Sequence, residues 1–350
     1  MQSKINLLHL ITGLGCGGAE KMVYQLCNYS DREKFNISVV SINDTDYFLS
    51  KLKALPINVL TLGLNKNPLS VFGGIISLNK FIRKHKIQII HAHLFHGMVL
   101  ASITKLFNPK IKIVWTAHSS RMISTFRSII TYCSRLIRDH DIILQPHSKS
   151  GYNIDNFSVI PNGVEFPIAS NSFSKFDTFT FISVGSLNKD KNHIFLINLF
   201  SKIDHFNYKL LIVGVGPEEK VLQNKINELG LSKNIELLGY RKDVYSLMKQ
   251  AHCFLLPSLR EGLPLVILES AYAKLPIIAS SIVSIQNLIS EDEGYVVPLN
   301  EFEKAIYLVV NNYAEAEAKA NQFYGRVKNE FDIMTCMENH EKLYRFLLSA

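Results

Sequence analysis

Short runs of consecutive apolar residues alternate along this chain with longer amphipathic segments. Strands that are apolar on both sides need cover on both faces, so this alternation predicts parallel sheets between layers of helices. Strands are predicted at 5–11, 35–42, 59–62, 86–91, 111–115 and 141–145, and again at 179–184, 209–213, 235–238, 253–256 and 277–279. Helices are predicted at 19–29, 71–85, 98–107, 126–138 and 265–275.

The pattern occurs twice, which predicts an α/β protein of two doubly wound, Rossmann-like domains. We expect the domains to cover 1–166 and 167–330, and to face each other across a cleft at the carboxyl ends of their strands. A turn is predicted at Pro161-Asn162-Gly163, and the polar stretch 169–177 is the predicted linker. A helix over 331–350 is expected to cross back to the first domain.

The N-terminal apolar run at 5–14 resembles a signal peptide, but His9 interrupts it and a glycine loop follows. We therefore expect a buried first strand. The uncharged stretch 87–104 contains three histidines and is too short and polar to predict a membrane span. Five scattered cysteines with no CxxC spacing favour a reducing cytoplasm.

Charge is distributed unevenly. Residues 1–166 contain 19 Lys/Arg against 9 Asp/Glu, and no acidic residue lies between Asp46 and Asp139. Such a basic stretch is typical of a face that meets nucleic acid, an anionic membrane or a phosphate-bearing substrate, although it can also be a solubilising surface. No nucleic-acid-binding module is present, so nucleic acid is not expected as a partner.

Glycine-rich loops follow predicted strands in both halves. Gly13, Gly15 and Gly18 form a G-x-G-x-x-G pattern before a helix, which would suit a dinucleotide in an NAD-dependent dehydrogenase, with Asp44 as the ribose-binding acid. The same loop would suit any phosphate at a helix N-terminus. In the second half, loop 185–192 contains Lys189 and Lys191. Gly214 follows the next strand and allows either a close ligand approach or a turn.

The most informative segment is 256–269, LPSLREGLPLVILE. Pro264 suits the first turn of a helix. Glu261 then precedes that helix, while Glu269 lies within its apolar sequence. A carboxylate in such surroundings is costly unless it is paired or binds a ligand. The helix start also offers free N–H groups to an anion.

This segment resembles the E-x₇-E signature of retaining GT-B glycosyltransferases, especially glycosyltransferase family 4. Further motifs agree in the same order along nearly the whole chain. They are GGAE at 17–20, IIHAHLFH at 89–96, TAH at 116–118, IPNGV at 160–164, VGSLNKDKN at 184–192, LLGYRKDV at 237–244 and the 256–280 segment.

The resemblance implies a retaining, hexosyltransferase-type enzyme whose donor is a nucleoside diphosphate sugar, expected to be UDP-linked. Glu261 would hold the donor sugar, Glu269 the ribose and Lys191 the diphosphate, and His118 would be the active-site histidine. His118, Lys191 and Glu261 are thus the candidate catalytic residues. The candidate donor-binding residues are Gly17, Gly18, Ser186, Lys191, Gly214, Arg241, Glu261, Gly262, Leu263, Pro264, Leu265 and Glu269. No cofactor is expected, and His91, His93 and His96 are not assigned to a metal.

The acceptor implied is a lipid-linked or other oligosaccharide of surface polysaccharide synthesis. We expect the basic first domain to receive it, with Arg121, Arg127, Arg135 and Arg138 resting peripherally on the inner, anionic face of the cell membrane. Alternatively, these residues belong to an ordinary amphipathic helix that faces the core. Ser186 occupies a position where the family usually has arginine, so Lys189, Arg241 or Arg260 would have to compensate. A sugar-nucleotide epimerase of the same fold and the dehydrogenase are the alternatives.

Overall fold

The computed structural model describes residues 4–65, 67–118, 124–146, 148, 155–165 and 173–349. The chain divides into two compact units. Unit 1 comprises Met1–Gly163 and Ile333–Ala350, and unit 2 comprises Val164–Asp332. The boundary expected at residue 166 and the start of the expected linker at 169–177 lie outside the described residues.

Unit 1 is built on one parallel sheet. Its strands are β1 (Ile5–Ile11), β2 (Phe35–Ser41), β3 (Asn58–Thr61), β4 (Ile89–His93), β5 (Lys112–Ala117), β6 (His140–Ile143) and β7 (Phe157–Val159). Their spatial order is β3-β2-β1-β4-β5-β6-β7. The order reverses between β1 and β4, and a doubly wound sheet opens a ligand-binding crevice at such a reversal.

Helices cover both faces of this sheet. They are α1 (Gly18–Tyr29), α2 (Leu49–Lys53), α3 (Pro68–Lys84), α4 (Leu94–Phe107), α5 (Thr125–Ser134) and the C-terminal helix (Ile333–Ser349). The C-terminal helix buries Met337, Tyr344 and Leu347 in the same core as α1. At Gly163 the chain passes so close to this helix that a Cβ would lie 2.7 Å from the Cα of Ile333. The Asn-Gly turn therefore needs its glycine for packing.

Unit 2 repeats the design with a parallel sheet of order β10-β9-β8-β11-β12-β13. The strands are β8 (Phe179–Val184), β9 (Tyr208–Val213), β10 (Ile235–Gly239), β11 (Cys253–Leu256), β12 (Ile277–Ser280) and β13 (Tyr295–Val297). The helices are α6 (His193–Phe200), α7 (Glu219–Glu228), α8 (Val244–Gln250), α9 (Leu265–Tyr272), α10 (Val283–Gln286), α11 (Phe302–Asn311) and α12 (Tyr313–Glu330). Here the order reverses between β8 and β11.

The predicted α/β class and doubly wound sheets are confirmed, with some shifted boundaries. The strand expected at 86–91 is Ile89–His93, and the helix expected from 98 begins at Leu94. Leu94 directly follows the strand and has a positive φ of 63°, which marks the junction between strand and helix. Lys86, three residues before the strand, also has a positive φ, 49°. The hydrophobic pattern alone does not mark the strand–helix junction, because residues on both sides of it are apolar.

Unit 1 also buries an unusual number of histidines in and around its sheet. Burial, with a smaller contribution from neighbouring histidines, lowers the pKa of His9 to about 3 and of His118 to about 4. The pKa of His340 is likewise lowered to about 4, and those of His91 and His93 fall well below the usual value. These imidazoles are therefore neutral in the folded protein at neutral pH.

Unit 1 should consequently lose stability in mild acid. The folded pKa values of these histidines lie below the unfolded value near 6.5. Between about pH 6.5 and pH 4 the unfolded chain therefore binds more protons than the folded protein, and the free energy of unfolding decreases as the pH is lowered. Each histidine contributes up to about 1.4 kcal/mol per pH unit in that window. Trp115 is the single tryptophan and is buried in β5, so thermal unfolding followed by its fluorescence from pH 7.5 to 5 reports on unit 1.

Two substitutions sharpen this measurement. His340→Gln should reduce the pH slope by about one histidine's share, whereas His205→Gln, at a side chain that is 76% exposed, should leave it unchanged. A midpoint that stays constant across this pH range would contradict the interpretation.

Candidate active site

The central contact of unit 2 is an ion pair between Lys191, in the loop after β8, and Glu261, in the loop after β11. Because β8 and β11 are neighbours at the reversal of strand order, these two loops meet. Lys191 Nζ donates to Glu261 Oε1 over 2.5 Å, and Ser258 Oγ donates to the same oxygen over 2.7 Å. The side chains are only 18% and 9% exposed, so the pair is held mostly away from water.

Local backbone contacts fix the position of the lysine. The Lys191 N–H donates to the side chain of Asn188 at 3.1 Å and to its carbonyl at 3.2 Å. Asn192, the next residue, adopts a left-handed conformation with φ of 55° and precedes α6. The Asn192 side chain donates to the carbonyl of Pro257 at 3.3 Å, which ties the lysine loop to the glutamate loop.

Gly214 and Gly216 bring the loops after β8 and β9 into backbone contact. Gly214 has a φ of 147°, and a Cβ there would lie 1.9 Å from the carbonyl oxygen of Gly185. A Cβ on Gly216 would lie 2.4 Å from the carbonyl oxygen of Leu187. Packing therefore requires glycine at 214, and the expected approach of a ligand to this residue stays a prediction.

Helix α9 begins directly after the glutamate loop. Pro264 lies at its N-cap position, one residue earlier than the first-turn position expected from the sequence. Leu263 and Leu265 are buried, while Gly262 and Glu269 are half-buried. Glu269 lies on α9 itself, so the expected order of a glutamate before the helix and a second one within it is found.

The cations expected to compensate for the missing arginine differ in whether a carboxylate already pairs with them. Arg260 donates from two nitrogens to one oxygen of Asp190, at 2.9 and 2.6 Å, and Arg241 donates to both oxygens of Asp243, at 2.8 and 2.6 Å. Ser186 is exposed. Lys189 is also exposed, and no carboxylate among the described residues pairs with it.

The candidate residues of unit 1 are Gly17, Gly18 and His118. Gly17 caps α1 and Gly18 opens it, after the carboxyl end of β1. A Cβ on Gly17 would lie 2.4 Å from a carboxylate oxygen of Glu20, and burial raises the pKa of that carboxyl. Any anion at this loop would share it with Glu20.

His118 follows the carboxyl end of β5 and is connected to other histidines. His118 Nε2 lies 3.1 Å from His93 Nδ1, and His93 Nε2 lies 3.1 Å from His9 Nδ1. His91 is held separately, by Tyr344 Oη at 2.7 Å and Thr116 Oγ1 at 2.6 Å. The histidine motif of β4 points to His91 and His93, whereas His9 stands out in the sequence only as a polar residue in an apolar run. The parallel register places His9 directly beside His91.

The nitrogens of His9, His91 and His93 lie close enough together to be considered as metal ligands, with ligand atoms within 4.8 Å of one another. His96 is not in this group. Both ring nitrogens of His91 and of His93 already have hydrogen-bond partners, so these rings could bind a metal only by giving up those bonds.

Two family models match the chain. The model described as Glycosyltransferase Family 4 matches residues 16–166, and that described as Glycosyl transferases group 1 matches residues 168–328. An Escherichia coli relative, UDP-Gal:alpha-D-GlcNAc-diphosphoundecaprenol alpha-1,3-galactosyltransferase, is 27% identical over 98% of this chain and 97% of its own. The amylovoran biosynthesis glycosyltransferase AmsD of Erwinia amylovora is 26% identical over 83% and 85% of the two chains.

Solved structures with the same fold include Anabaena HepE in complex with UDP and glucose, with a TM-score of 0.83 and 17% identity over 99% of this chain and 100% of that one. Sucrose-phosphate synthase from Thermosynechococcus elongatus has a TM-score of 0.82 and 18% identity over 98% and 99%. None of these matches supports the epimerase or dehydrogenase alternatives. The chain therefore belongs to the family 4 and group 1 glycosyltransferases, enzymes of the hexosyltransferase type with the GT-B fold.

Proposed function

We propose that this enzyme transfers a sugar from a nucleoside diphosphate sugar, UDP-linked, to a hydroxyl of a lipid-linked glycan during surface polysaccharide synthesis. The observation that carries the proposal is the partly buried Lys191–Glu261 pair at the strand-order reversal of unit 2. The E. coli relative is named for a UDP-galactose donor and a diphosphoundecaprenol acceptor, and a Campylobacter jejuni relative, 28% identical over 74% of this chain, for another diphospho-undecaprenol acceptor.

The pair suits a donor that carries both negative charge and hydroxyl groups. Lys191 would exchange part of its contact with Glu261 for the diphosphate, and Glu261 would accept hydrogen bonds from the sugar. The start of α9 adds N–H groups and a partial positive charge for phosphate oxygens. Glu269 would hold the ribose. A lysine and a helix start can supply the charge that a metal ion supplies in other transferases, so we propose a metal-independent enzyme with no cofactor.

We propose that the configuration at the anomeric carbon is retained because the diphosphate leaves and the acceptor hydroxyl attacks on the same face of the sugar. Glu261 is engaged by Lys191 and Ser258, which suits hydrogen bonding to a sugar better than nucleophilic attack. The leaving diphosphate, stabilised by Lys191, would take the proton of the acceptor hydroxyl. His118 is neutral, since burial lowers its pKa to about 4, so it would hold a sugar hydroxyl rather than supply charge. Trapping a glycosyl-enzyme on Glu261 would overturn this mechanism.

Separate substitutions should distinguish the two roles of the pair. Lys191→Gln should lose most of the thermal stabilisation that UDP gives the wild type, because the diphosphate loses its cation. Glu261→Gln should keep that stabilisation but lower kcat with the sugar nucleotide about 100-fold or more, because it loses a contact to the sugar itself. Thermal shift with UDP, GDP, ADP and NAD, followed by transfer kinetics, measures both.

The exposed pair Lys225–Glu228 on α7, at 2.9 Å, provides the matched control. Lys225→Gln and Glu228→Gln should leave UDP binding and kcat within about twofold, because exposed ion pairs contribute little. Full activity in Glu261→Gln, or no stabilisation of the wild type by any nucleotide, would refute the donor site.

We propose that the layer of helices α3–α5 in unit 1 contacts the membrane in which the lipid-linked acceptor is anchored. Apolar side chains there point into solvent, including Phe72 (64% exposed), Leu106 (69%), Phe126 (69%) and Leu136 (86%). Arg127 is exposed among them. An apolar surface of this kind in an acid-free, basic stretch suits peripheral binding to the inner, anionic leaflet. Among the described residues, no helix combines the length and the apolar content needed to cross a bilayer.

Arg138 was expected on the basic face but does not lie on the surface. Arg138 is buried, and its guanidinium forms a bidentate contact to Asp141 at 2.7 and 2.8 Å while lying over Trp115. The carboxylate three residues later explains why this arginine faces inward. Arg121 lies outside the described residues. Arg135 pairs with Asp155 at 3.1 Å.

Vesicle sedimentation tests the surface. The wild type should bind vesicles of mixed neutral and anionic phospholipid at low salt and weaken at high salt, because exposed charges are screened. Phe126→Ser with Leu136→Ser should reduce binding about tenfold, since two apolar side chains no longer enter the bilayer. Val221→Ser, at an apolar residue of unit 2 that is 51% exposed, is the control and should not change binding. No sedimentation of the wild type at either salt concentration would refute the membrane proposal.

A further inference from the structure

Three histidine rings of unit 1 form one hydrogen-bonded line from the sheet interior to His118. His9 Nδ1 pairs with His93 Nε2, and His93 Nδ1 pairs with His118 Nε2, each at 3.1 Å. The line ends in two buried nitrogens, His9 Nε2 and His118 Nδ1, for which the described part of the chain offers no hydrogen-bond partner. His9 and His93 have no role in the mechanism described above.

The three rings are neutral near pH 7. Burial is the main cause that lowers the pKa of His9 to about 3 and that of His118 to about 4. Burial also lowers the pKa of His93 well below its usual value. A neutral imidazole has one N–H donor and one acceptor nitrogen. The hydrogen bond made by one nitrogen therefore decides what the other can do.

Only two arrangements satisfy both hydrogen bonds. If His118 has its proton on Nδ1, its Nε2 accepts from His93 Nδ1–H, and His93 Nε2 then accepts from His9 Nδ1–H. If His118 has its proton on Nε2, every bond reverses and all three rings are protonated on Nε2. A mixed line would leave two acceptors or two donors facing each other at 3.1 Å.

We propose that His9 and His93 are positioning residues that set, as one unit, whether His118 donates or accepts a hydrogen bond at Nδ1. The consequence for catalysis rests on the proposed contact of His118 with a sugar hydroxyl. A hydroxyl both donates and accepts, so the line fixes which way that contact runs before the substrate arrives.

The surroundings favour a change of tautomer over transport of a proton. His9 lies at the far end of the line, and its pKa is no higher than that of His118. A proton transferred from His118 would therefore not be stabilised on His9. The other groups near the line are His91, His340, Tyr344 and Arg32. His91 is engaged by Tyr344 and Thr116, and His340 by the carbonyl of Cys336 at 2.9 Å, so each has its own partner.

Nitrogen-15 NMR of histidine-labelled protein tests the line without any substrate. The expected result is that the same nitrogen, Nδ1 or Nε2, carries the proton in all three rings. Protonation on Nδ1 in one ring and on Nε2 in another would overturn the proposal, as would an imidazolium in any of them at pH 7. Zinc binding to the metal-free protein with loss of these N–H signals would also overturn it, in favour of a metal site.

Two substitutions at the far end test the kinetic consequence. His9→Leu removes the partner of His93 Nε2 and should lower kcat about tenfold with the donor KM unchanged, comparable to removing a group that orients a metal-bound histidine. His9→Asn offers an amide close to the former Nδ1 position and should restore most of that loss. His140→Asn, at a buried histidine of β6 that lies outside the line and pairs with Ser158, is the control and should leave kcat and the tautomers unchanged.

Each failure has its own signature. If His9→Leu and His9→Asn lower kcat equally, His9 has only a packing role and the positioning proposal is wrong. This outcome leaves the proposed transfer reaction of the wild-type enzyme intact. Full activity in His118→Ala would instead refute the proposed contact of His118 with the sugar. In that case the NMR result would still decide whether the three tautomers are coupled.

Discussion

The reversal of strand order between β8 and β11 is the constraint on which the candidate donor site depends. Parallel strands place all their following loops at one edge, and the reversal leaves two of those loops side by side without a helix between them. Lys191 and Glu261, 70 residues apart in sequence, meet only for this reason. A Cβ on Gly214 would lie against the Gly185 carbonyl, so glycine at 214 lets the loop that contains Lys191 pack against the end of β9.

Unit 1 uses the same sheet topology with different chemistry. Its reversal lies between β1 and β4, and the residues that meet there are His9 and the two histidines of β4. Desolvation makes these rings neutral, whereas the lysine and glutamate of unit 2 form an ion pair. Unit 1 thus presents neutral hydrogen-bonding rings at its reversal of strand order, whereas unit 2 presents a charged pair.

Much of the fold and part of the candidate site could be predicted from the sequence. Apolar runs indicate the long strands, and the spacing of Glu261 and Glu269 around Pro264 indicates a glutamate before a helix and one within it. The short strands β7 and β13 were missed because three residues carry too little pattern. Contacts that depend on register, such as His9 with His93, or on a partner outside the motif, such as Ser258, needed the structure. Arg138 was wrongly placed because its buried partner Asp141 lies beyond the predicted helix.

The replacement of the family arginine by Ser186 is best understood from the relative cost of breaking each ion pair. Arg241 and Arg260 are bound to Asp243 and Asp190, but these pairs are exposed, so a diphosphate can recruit either arginine without stranding a buried carboxylate. Glu261 is 9% exposed, and removing its lysine entirely would leave a buried charge unpaired. A donor bound as we propose would therefore have to satisfy Glu261 with sugar hydroxyls as it draws Lys191 toward phosphate. Recognition of the sugar and of the diphosphate would then be coupled through that one carboxylate, while the exposed arginines would add charge.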